Sequence, residues 1–303
     1  MIRSCLIALT IPAILAAQET AAPRRSPDVH FVPTDAAMVR AMLRVAQVGK
    51  QDLVYDLGCG DGRIVITAVK RYGARGVCVD IDPARIAESK RNADTAGVAR
   101  RIRFHEGDLF EMDLSDATVV TLYLLPALNV RLRPKLFREL RPGSRVVSNS
   151  FDMGDWKADS TLQVQPAAQF FNYAYYWVIP ADVAGRWEVN LTKGGSAGTQ
   201  EPYLLQFEQR YQMLTGKATR GDREVVVSGA SMTGDRLSFT LVDSADGQPR
   251  TLRFSGQVTG EKASGTVKGL PGQRSGSWSA VRTERGPRPE LEEEKTGEPA
   301  GGE

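Results

Sequence analysis

Through the first half of the chain, short apolar runs alternate with stretches whose apolar positions recur at helical spacing. Val54-Tyr55-Asp56-Leu57 reads as a buried strand, and Arg63-Ile64-Val65-Ile66-Thr67-Ala68-Val69 as the helix after it. Gly76-Val77-Cys78-Val79-Asp80 is a second strand. Asp82-Pro83, an N-cap followed by a first-turn proline, opens a helix that runs through Asn92 and stops near Gly97. Further strands are predicted at 101–105, 118–123 and 145–148. Between the last two lies a helical stretch at 127–140, interrupted at Pro134. Residues 161–164 and the aromatic run 173–179 supply two closing strands, antiparallel to one another. Ahead of the first strand, Met38, Met42, Leu43 and Val45 form the inward face of an amphipathic helix with Thr34 as its N-cap. Strands alternating with helices predict a Rossmann-like α/β sheet.

Beyond about Ala184 the period changes to two. Alternating, glycine-punctuated segments at 187–191, 204–214, 224–228, 236–242, 251–258, 264–267 and 277–282 predict strands, with hairpin turns at Thr233-Gly234-Asp235, Ala245-Asp246-Gly247 and Thr259-Gly260-Glu261. A small antiparallel barrel or sandwich follows. The recurring Ser-Gly pairs Ser228-Gly229, Ser255-Gly256 and Ser264-Gly265 hint at a meander. This segment carries no catalytic constellation, so its roles range from presenting a substrate or binding a partner to stability alone.

The chemistry concentrates where the first strand meets its helix. Gly58, Gly60 and Gly62 let backbone pass close to a ligand, while Asp56 and Asp61 bracket the loop and would repel a pyrophosphate. A ligand carrying an ammonium suits this loop better, and S-adenosylmethionine (SAM) fits: its amino group toward Asp56, its carboxylate toward the loop amides. Asp80, 18 residues beyond Gly62 with Ile81 beside it, stands where a ribose-binding acid belongs. Asp108 can accept from the adenine amino group, with Leu109 or Phe110 walling the ring. Acids at three successive strand ends are a stronger signal than the glycines alone, because ligands of open α/β sheets sit at the carboxyl ends of strands. Asp61 reads equally well as ordinary turn chemistry.

Phe31-Val32-Pro33-Thr34, Tyr55-Asp56-Leu57-Gly58-Cys59-Gly60-Asp61-Gly62-Arg63-Ile64, Leu122-Tyr123-Leu124-Leu125-Pro126 and Gly154-Asp155-Trp156 together resemble the class I SAM-dependent methyltransferases. Within that class, residues 31–180 are similar to bacterial relatives of the mitochondrial lysine methyltransferases of ATP synthase c-subunit and adenine nucleotide translocase. The resemblance implies a seven-stranded sheet, a SAM cofactor and a protein partner bearing the acceptor lysine. It also implies that Pro33 and Thr34 cover the methionine end of SAM and that the acceptor approaches over the end of the fourth strand. There Tyr123 and Asn129 are the candidate catalytic residues, Tyr123 orienting an amine or else packing as an ordinary strand residue. The following loop, 149–156, often opens His-Asp-Phe in that family. Here Asn149-Ser150 stand in the first two places, and Asp152 and Asp155 read as turn formers before amine contacts.

Composition changes this picture only at the ends. At 42% hydrophobic and 25% charged, 303 residues suit two modest domains. Residues 1–17 read as a cleavable signal peptide, with Arg3 ahead of an apolar core too short for the ~20 residues of a membrane span; an uncleaved interfacial anchor is the alternative. Residues 18–28 form a linker, 29–183 the methyltransferase domain, 184–283 the β-rich domain, and 284–303 an acidic disordered tail. The tail's negative charge leaves the remainder more basic than the overall +3, with bases dense around Arg131, Lys135 and Arg138. These form a solvated helical face or a site for an acidic partner, a membrane surface or a membrane protein. Nucleic acid is not indicated. Three cysteines indicate no disulfide framework, and His30 and His105 lack zinc spacing to them.

The whole predicts an exported, periplasmic or envelope-associated methyltransferase acting on a protein lysine; cytosolic or N-terminally anchored placement is the alternative. A small-molecule N- or O-methyltransferase and an exported SAM- or nucleoside-binding protein without turnover are the competing functions.

Overall fold

The computed structural model describes residues 26–164, 172–193, 196–197, 201–244, 248–270 and 275–288. The leader expected over residues 1–17 and most of the expected tail lie outside them. Seven strands form the first sheet in the order β3-β2-β1-β4-β5-β7-β6: β1 (Leu53–Leu57), β2 (Arg75–Asp80), β3 (Ile102–Glu106), β4 (Val119–Leu122), β5 (Arg145–Asn149), β6 (Ser160–Gln163) and β7 (Tyr173–Val178). The first five are parallel, and β7 runs antiparallel to both β5 and β6.

β1 is buried along its whole length, as a central parallel strand covered on both faces must be. Helix α1 (Ala36–Val45) lays Met38, Val39, Met42 and Leu43 against Val54, Val119 and Val147 on one face of the sheet. Its N-cap is Asp35, whose carboxylate accepts from the Ala37 amide at 2.7 Å, in place of Thr34. Helix α2 (Arg63–Tyr72) starts at Gly62, and α3 (Pro83–Thr95) at the Asp82 cap.

Helix α4 (Pro126–Glu139) runs straight through Pro134, correcting the expected interruption. Val130, whose carbonyl loses its partner to the proline, is exposed to water, while Leu132, Leu136 and Phe137 hold the helix by their burial. The basic face is also modified. Lys135 is buried against Glu139 at 2.6 Å, and the Arg131 guanidinium lies 4.0 Å from the centre of the Phe110 ring.

The second domain is a closed barrel. Seven strands, β10 (Tyr203–Arg210), β11 (Met213–Arg220), β12 (Arg223–Thr233), β13 (Arg236–Asp243), β14 (Arg250–Thr259), β15 (Lys262–Lys268) and β16 (Gly276–Arg285), pair in chain order as a meander. β8 (Gly185–Lys193) closes the ring between β16 and β10, and short β9 (Ser196–Ala197) is appended to it. Phe207, Phe239, Phe254 and Trp278 fill the interior, with Phe239 and Phe254 stacked 4.5 Å apart. Two of the Ser-Gly pairs serve packing: Gly256 and Gly265 face each other in register, and a Cβ at Gly256 would meet Trp278 at 2.6 Å.

Residues 204–214, expected as one strand, are parts of two. The chain reverses at Tyr211, a non-glycine residue at φ 55°. The boundary expected at Glu284 falls inside β16, and Arg285 and Arg288 pair with Asp182.

Candidate active site

β1 and β4 are adjacent where the strand order reverses, and the crevice past their carboxyl ends is the fold's natural ligand position. Asp56 and Thr121 are register partners there, and the Thr121 hydroxyl donates to Asp56 Oδ1 at 2.7 Å. Asp56 is 2% exposed, and its other oxygen, Oδ2, is buried without a hydrogen-bond partner. Burial pushes its carboxyl up to about 7. The Thr121 bond opposes that rise, and the neighbouring Asp80 and Asp61 carboxylates add to it. A buried acid oxygen without a donor fits a cationic ligand group.

The glycine loop is fastened to the end of β2. Gly58 and Cys59 both donate their amides to the Val79 carbonyl, at 2.9 and 3.0 Å. The Gly60 amide donates to Asp80 Oδ2 at 2.9 Å, and the Asp82 amide to Asp80 Oδ1 at 3.0 Å. Asp80 therefore holds the loop as well as facing the cavity. Burial raises its carboxyl, with the two amide bonds opposing. Cys59 and Cys78 form a disulfide, Cα atoms 5.3 Å apart, which corrects the expectation from cysteine usage. The two cysteines belong to a loop and to the neighbouring strand, a proximity only the parallel β1–β2 register creates.

A cavity of about 390 Å³ opens beside these residues, lined among others by Asp56, Gly58, Asp80, Ile81, Asp108, Leu109, Thr34 and Tyr123. Of the sequence candidates, Gly60, Gly62, Pro33 and Asn129 do not line it. Gly60 is covered by Phe31, whose ring lies 2.2 Å from where a Cβ would stand. Gly62 turns the chain into α2 at φ 79°. Pro33 is exposed, and the covering is done by its neighbours Phe31, Val32 and Thr34 together with residues 26–30, the first three of them expected as linker.

Arg63 is the residue that sequence reasoning passed over. It pairs with Asp61 at 2.6 Å, and its Nη1 donates to the Thr34 carbonyl at 2.8 Å, tying the covering segment to the loop. Its signal was a base at the first position of a helix, where the macrodipole disfavours one. The Asp61 carboxylate is thereby engaged in local structure.

On the fourth-strand side, Tyr123 and Leu124 follow β4 and line the cavity. The Tyr123 ring stacks toward Phe151, centroids 6.3 Å apart. Asn129 is buried and holds the loop after β5, its Nδ2 donating to the Phe151 and Asp152 carbonyls at 3.2 and 3.1 Å. Asp108 Oδ1 accepts from the Phe110 amide at 2.9 Å, and Asp152 Oδ1 from the Gly154 amide at 3.0 Å. Asp155 does not line the cavity and is bound by Arg133, Arg210 and Tyr211.

Residues 56–160 match the family model described as the ANTKMT methyltransferase domain. The chain is 46% identical over 140 residues to a protein-lysine N-methyltransferase of Saccharolobus islandicus (strain REY15A), covering 46% of this chain and 87% of that one. It is 31% identical over 129 residues to the adenine nucleotide translocase lysine N-methyltransferase of Mus musculus, 43% of this chain and 56% of the relative, so it spans little more than half of that protein. Among solved structures, an RNA methyltransferase from Salinibacter ruber in complex with S-adenosyl-L-homocysteine is 50% identical, covering 50% of this chain and 96% of that one, with a TM-score of 0.48.

Proposed function

Because the chain belongs to the SAM-dependent methyltransferases of the ANTKMT type, we propose that it methylates the side-chain amine of a lysine in a protein. The observation that carries this is the cavity that joins Asp56, whose Oδ2 is buried and unpartnered, to Tyr123. One surface offers an anion for a cofactor ammonium, and the other an aromatic hydroxyl for an acceptor. Asp56 would hold the amino group of SAM, Asp80 its ribose hydroxyls, and Asp108 with Leu109 its adenine; the carboxylate contact expected at the loop amides is not kept, because Gly58 and Cys59 give theirs to Val79, Gly60 to Asp80 and Gly62 to Cys59. SAM supplies a methyl group on a sulfonium.

The chain's own task is placement. Tyr123 orients the amine by its hydroxyl or ring face, Leu124 and Leu128 exclude water, and the low polarity favours the neutral amine that can attack. Displacement by a neutral amine needs little acid-base machinery, so the Asn149-Ser150 loop start is compatible with turnover. Phe31 and Val32, which line the cavity, and Leu125, next to the lining Leu124, are exposed apolar side chains. Such a rim suits a lysine presented from an apolar protein surface, including a membrane protein.

Export remains part of the proposal. The Cys59–Cys78 disulfide supports it, since disulfides persist in oxidising compartments. SAM must then reach the envelope, or the protein must act before it leaves the cytosol. The test is production of S-adenosylhomocysteine by the full chain with envelope protein, cytosolic protein or small amines as acceptor, and Asp56→Ala as the blank. Turnover with protein alone supports the reading. Turnover only with small amines moves the function to metabolite methylation, and SAM binding without turnover to a binding protein.

A further inference from the structure

The barrel meets the methyltransferase domain in more than one place: Gly234, in the turn between β12 and β13, lies against Gly143 and Val178, while the turn between β10 and β11 enters the domain's apolar core. The turn between β10 and β11 places Tyr211, 3% exposed, in the apolar cluster built by α4 and the first sheet, its ring 5.6 Å from Phe137 and 6.1 Å from Trp156. The Tyr211 hydroxyl donates to Asp155 Oδ1 at 2.9 Å, and Arg210 pairs with the other oxygen of the same carboxylate. Gln212 accepts from Trp156 Nε1 at 3.0 Å and donates to the Lys157 carbonyl at 2.8 Å. Three consecutive barrel residues thus grip three consecutive residues of the loop after β5. Arg133, its guanidinium 5.2 Å from the centre of the Tyr211 ring, binds the Met153 carbonyl at 3.0 Å as well as Asp155, and Asn129 binds the Phe151 and Asp152 carbonyls.

The gripped loop borders the chemistry. Phe151 at its start stacks toward Tyr123, which lines the cavity, and Asn149 just before it donates to Thr34 Oγ1 at 3.4 Å. Tyr211 adopts φ 55°, a conformation unfavourable for a residue with a side chain, which the surrounding bonds hold in place. Burial works to raise the Asp155 carboxyl, but the Tyr211 hydrogen bond and the guanidiniums of Arg133 and Arg210 outweigh it, and its net direction is down. Asp155 is therefore an ionised anchor on the loop, shared by the two domains.

We infer that the barrel turn Arg210-Tyr211-Gln212 is a positioning element of the methyltransferase, fixing the loop over residues 151–157 so that Phe151 and Tyr123 present the acceptor side of the cavity. The inference rests on the proposed reading that this side receives the acceptor. It gives the second domain a part in turnover, distinct from cofactor binding, whose residues it does not touch.

The test uses the full chain with Tyr211→Phe, which keeps the ring and removes the Asp155 bond, and Gln212→Ala, which removes the bonds to Trp156, Lys157 and Asp159. Amide hydrogen exchange is read over residues 151–157 and over 58–62, SAM affinity by titration, and methyl transfer with poly-L-lysine as acceptor. Loss of one bond to the loop should speed exchange over 151–157 by about fivefold or more and lower kcat by a similar factor, about fivefold. Exchange over 58–62 and SAM Kd should be unchanged. Unaltered exchange over 151–157 in both variants overturns the inference, as does a rate loss accompanied by an equal loss of SAM affinity. Wild type silent on poly-L-lysine would count against the lysine reading alone, and the exchange data would then decide the inference by the same criteria.

Discussion

Replacing Asp56 by asparagine should move cofactor affinity and apo stability in opposite directions. The Asp56 carboxyl titrates at about 7, about 3 units above an ordinary aspartate, so holding it ionised near pH 8 costs the apo protein about 4 kcal/mol at 1.36 kcal/mol per unit. Asparagine removes that cost. The Thr121 hydroxyl can donate to its Oδ1 as it does to the carboxylate, but the new amide donor stands where Oδ2 has no partner, a loss of about 1–3 kcal/mol. The net gain of about 1–3 kcal/mol corresponds to a rise of roughly 2–12 °C in the Tm of the methyltransferase domain. SAM loses a charge-assisted bond to its ammonium, about 1.5–3 kcal/mol, or a Kd about 10- to 150-fold higher. Titration calorimetry with SAM and scanning calorimetry of the apo protein, both near pH 8, read the two effects. An unchanged Kd, or an apo Tm that falls, would refute the role assigned to the unpartnered oxygen.

Between the unfolded-state value near 4 and the native value of about 7, native Asp56 keeps a proton the unfolded chain has released; apo stability should therefore fall as pH rises through that window and level off above it. SAM affinity should do the reverse, rising up to about pH 7 with release of a proton, and titrations across buffers of different ionisation enthalpy would expose a missing proton. Reducing the Cys59–Cys78 bridge, or replacing both cysteines by serine, should lower stability by about 3 kcal/mol for a separation of 19 residues; chemical denaturation with and without dithiothreitol measures it, and equal midpoints would show that the bridge does not constrain the chain. Asp80→Ala removes the acceptor for the Gly60 and Asp82 amides together with the proposed ribose partner, and equilibrium dialysis should find SAM binding abolished, at about 1.5–3 kcal/mol per lost charged bond. Retained affinity would remove Asp80 from the cofactor site.

What was legible in the sequence is what lies close together in it. Asp56, the glycines and Asp80 sit on one strand-loop-helix-strand unit, so their spacing alone brought Asp56, Gly58 and Asp80 to one cavity, and the period of the apolar positions carried both domain classes. Four features escaped for reasons of distance or competition. The disulfide depends on the register of two parallel strands. The covering role passed from Pro33 to Phe31 and Thr34 because Arg63, beyond the loop, fixes the Thr34 carbonyl. Asn129 faces the loop after β5 instead of the cavity because that loop's carbonyls need a donor. The grip on Asp155 joins positions 55 and 56 residues apart across a domain boundary, and no local pattern records it. Alternation over residues 204–214 likewise hid a reversal, since Tyr211 makes the turn without glycine, and alternation alone does not distinguish a closed barrel from a sandwich.

The central claim, methyl transfer to a protein lysine, is tested most directly by incubating the full chain and its Asp56→Ala variant with methyl-labelled SAM and envelope protein, then hydrolysing the protein to amino acids. The account predicts label recovered as methyl-lysine with the wild type and lost with Asp56→Ala; label confined to nucleic acid, to small molecules or to another amino acid would contradict it.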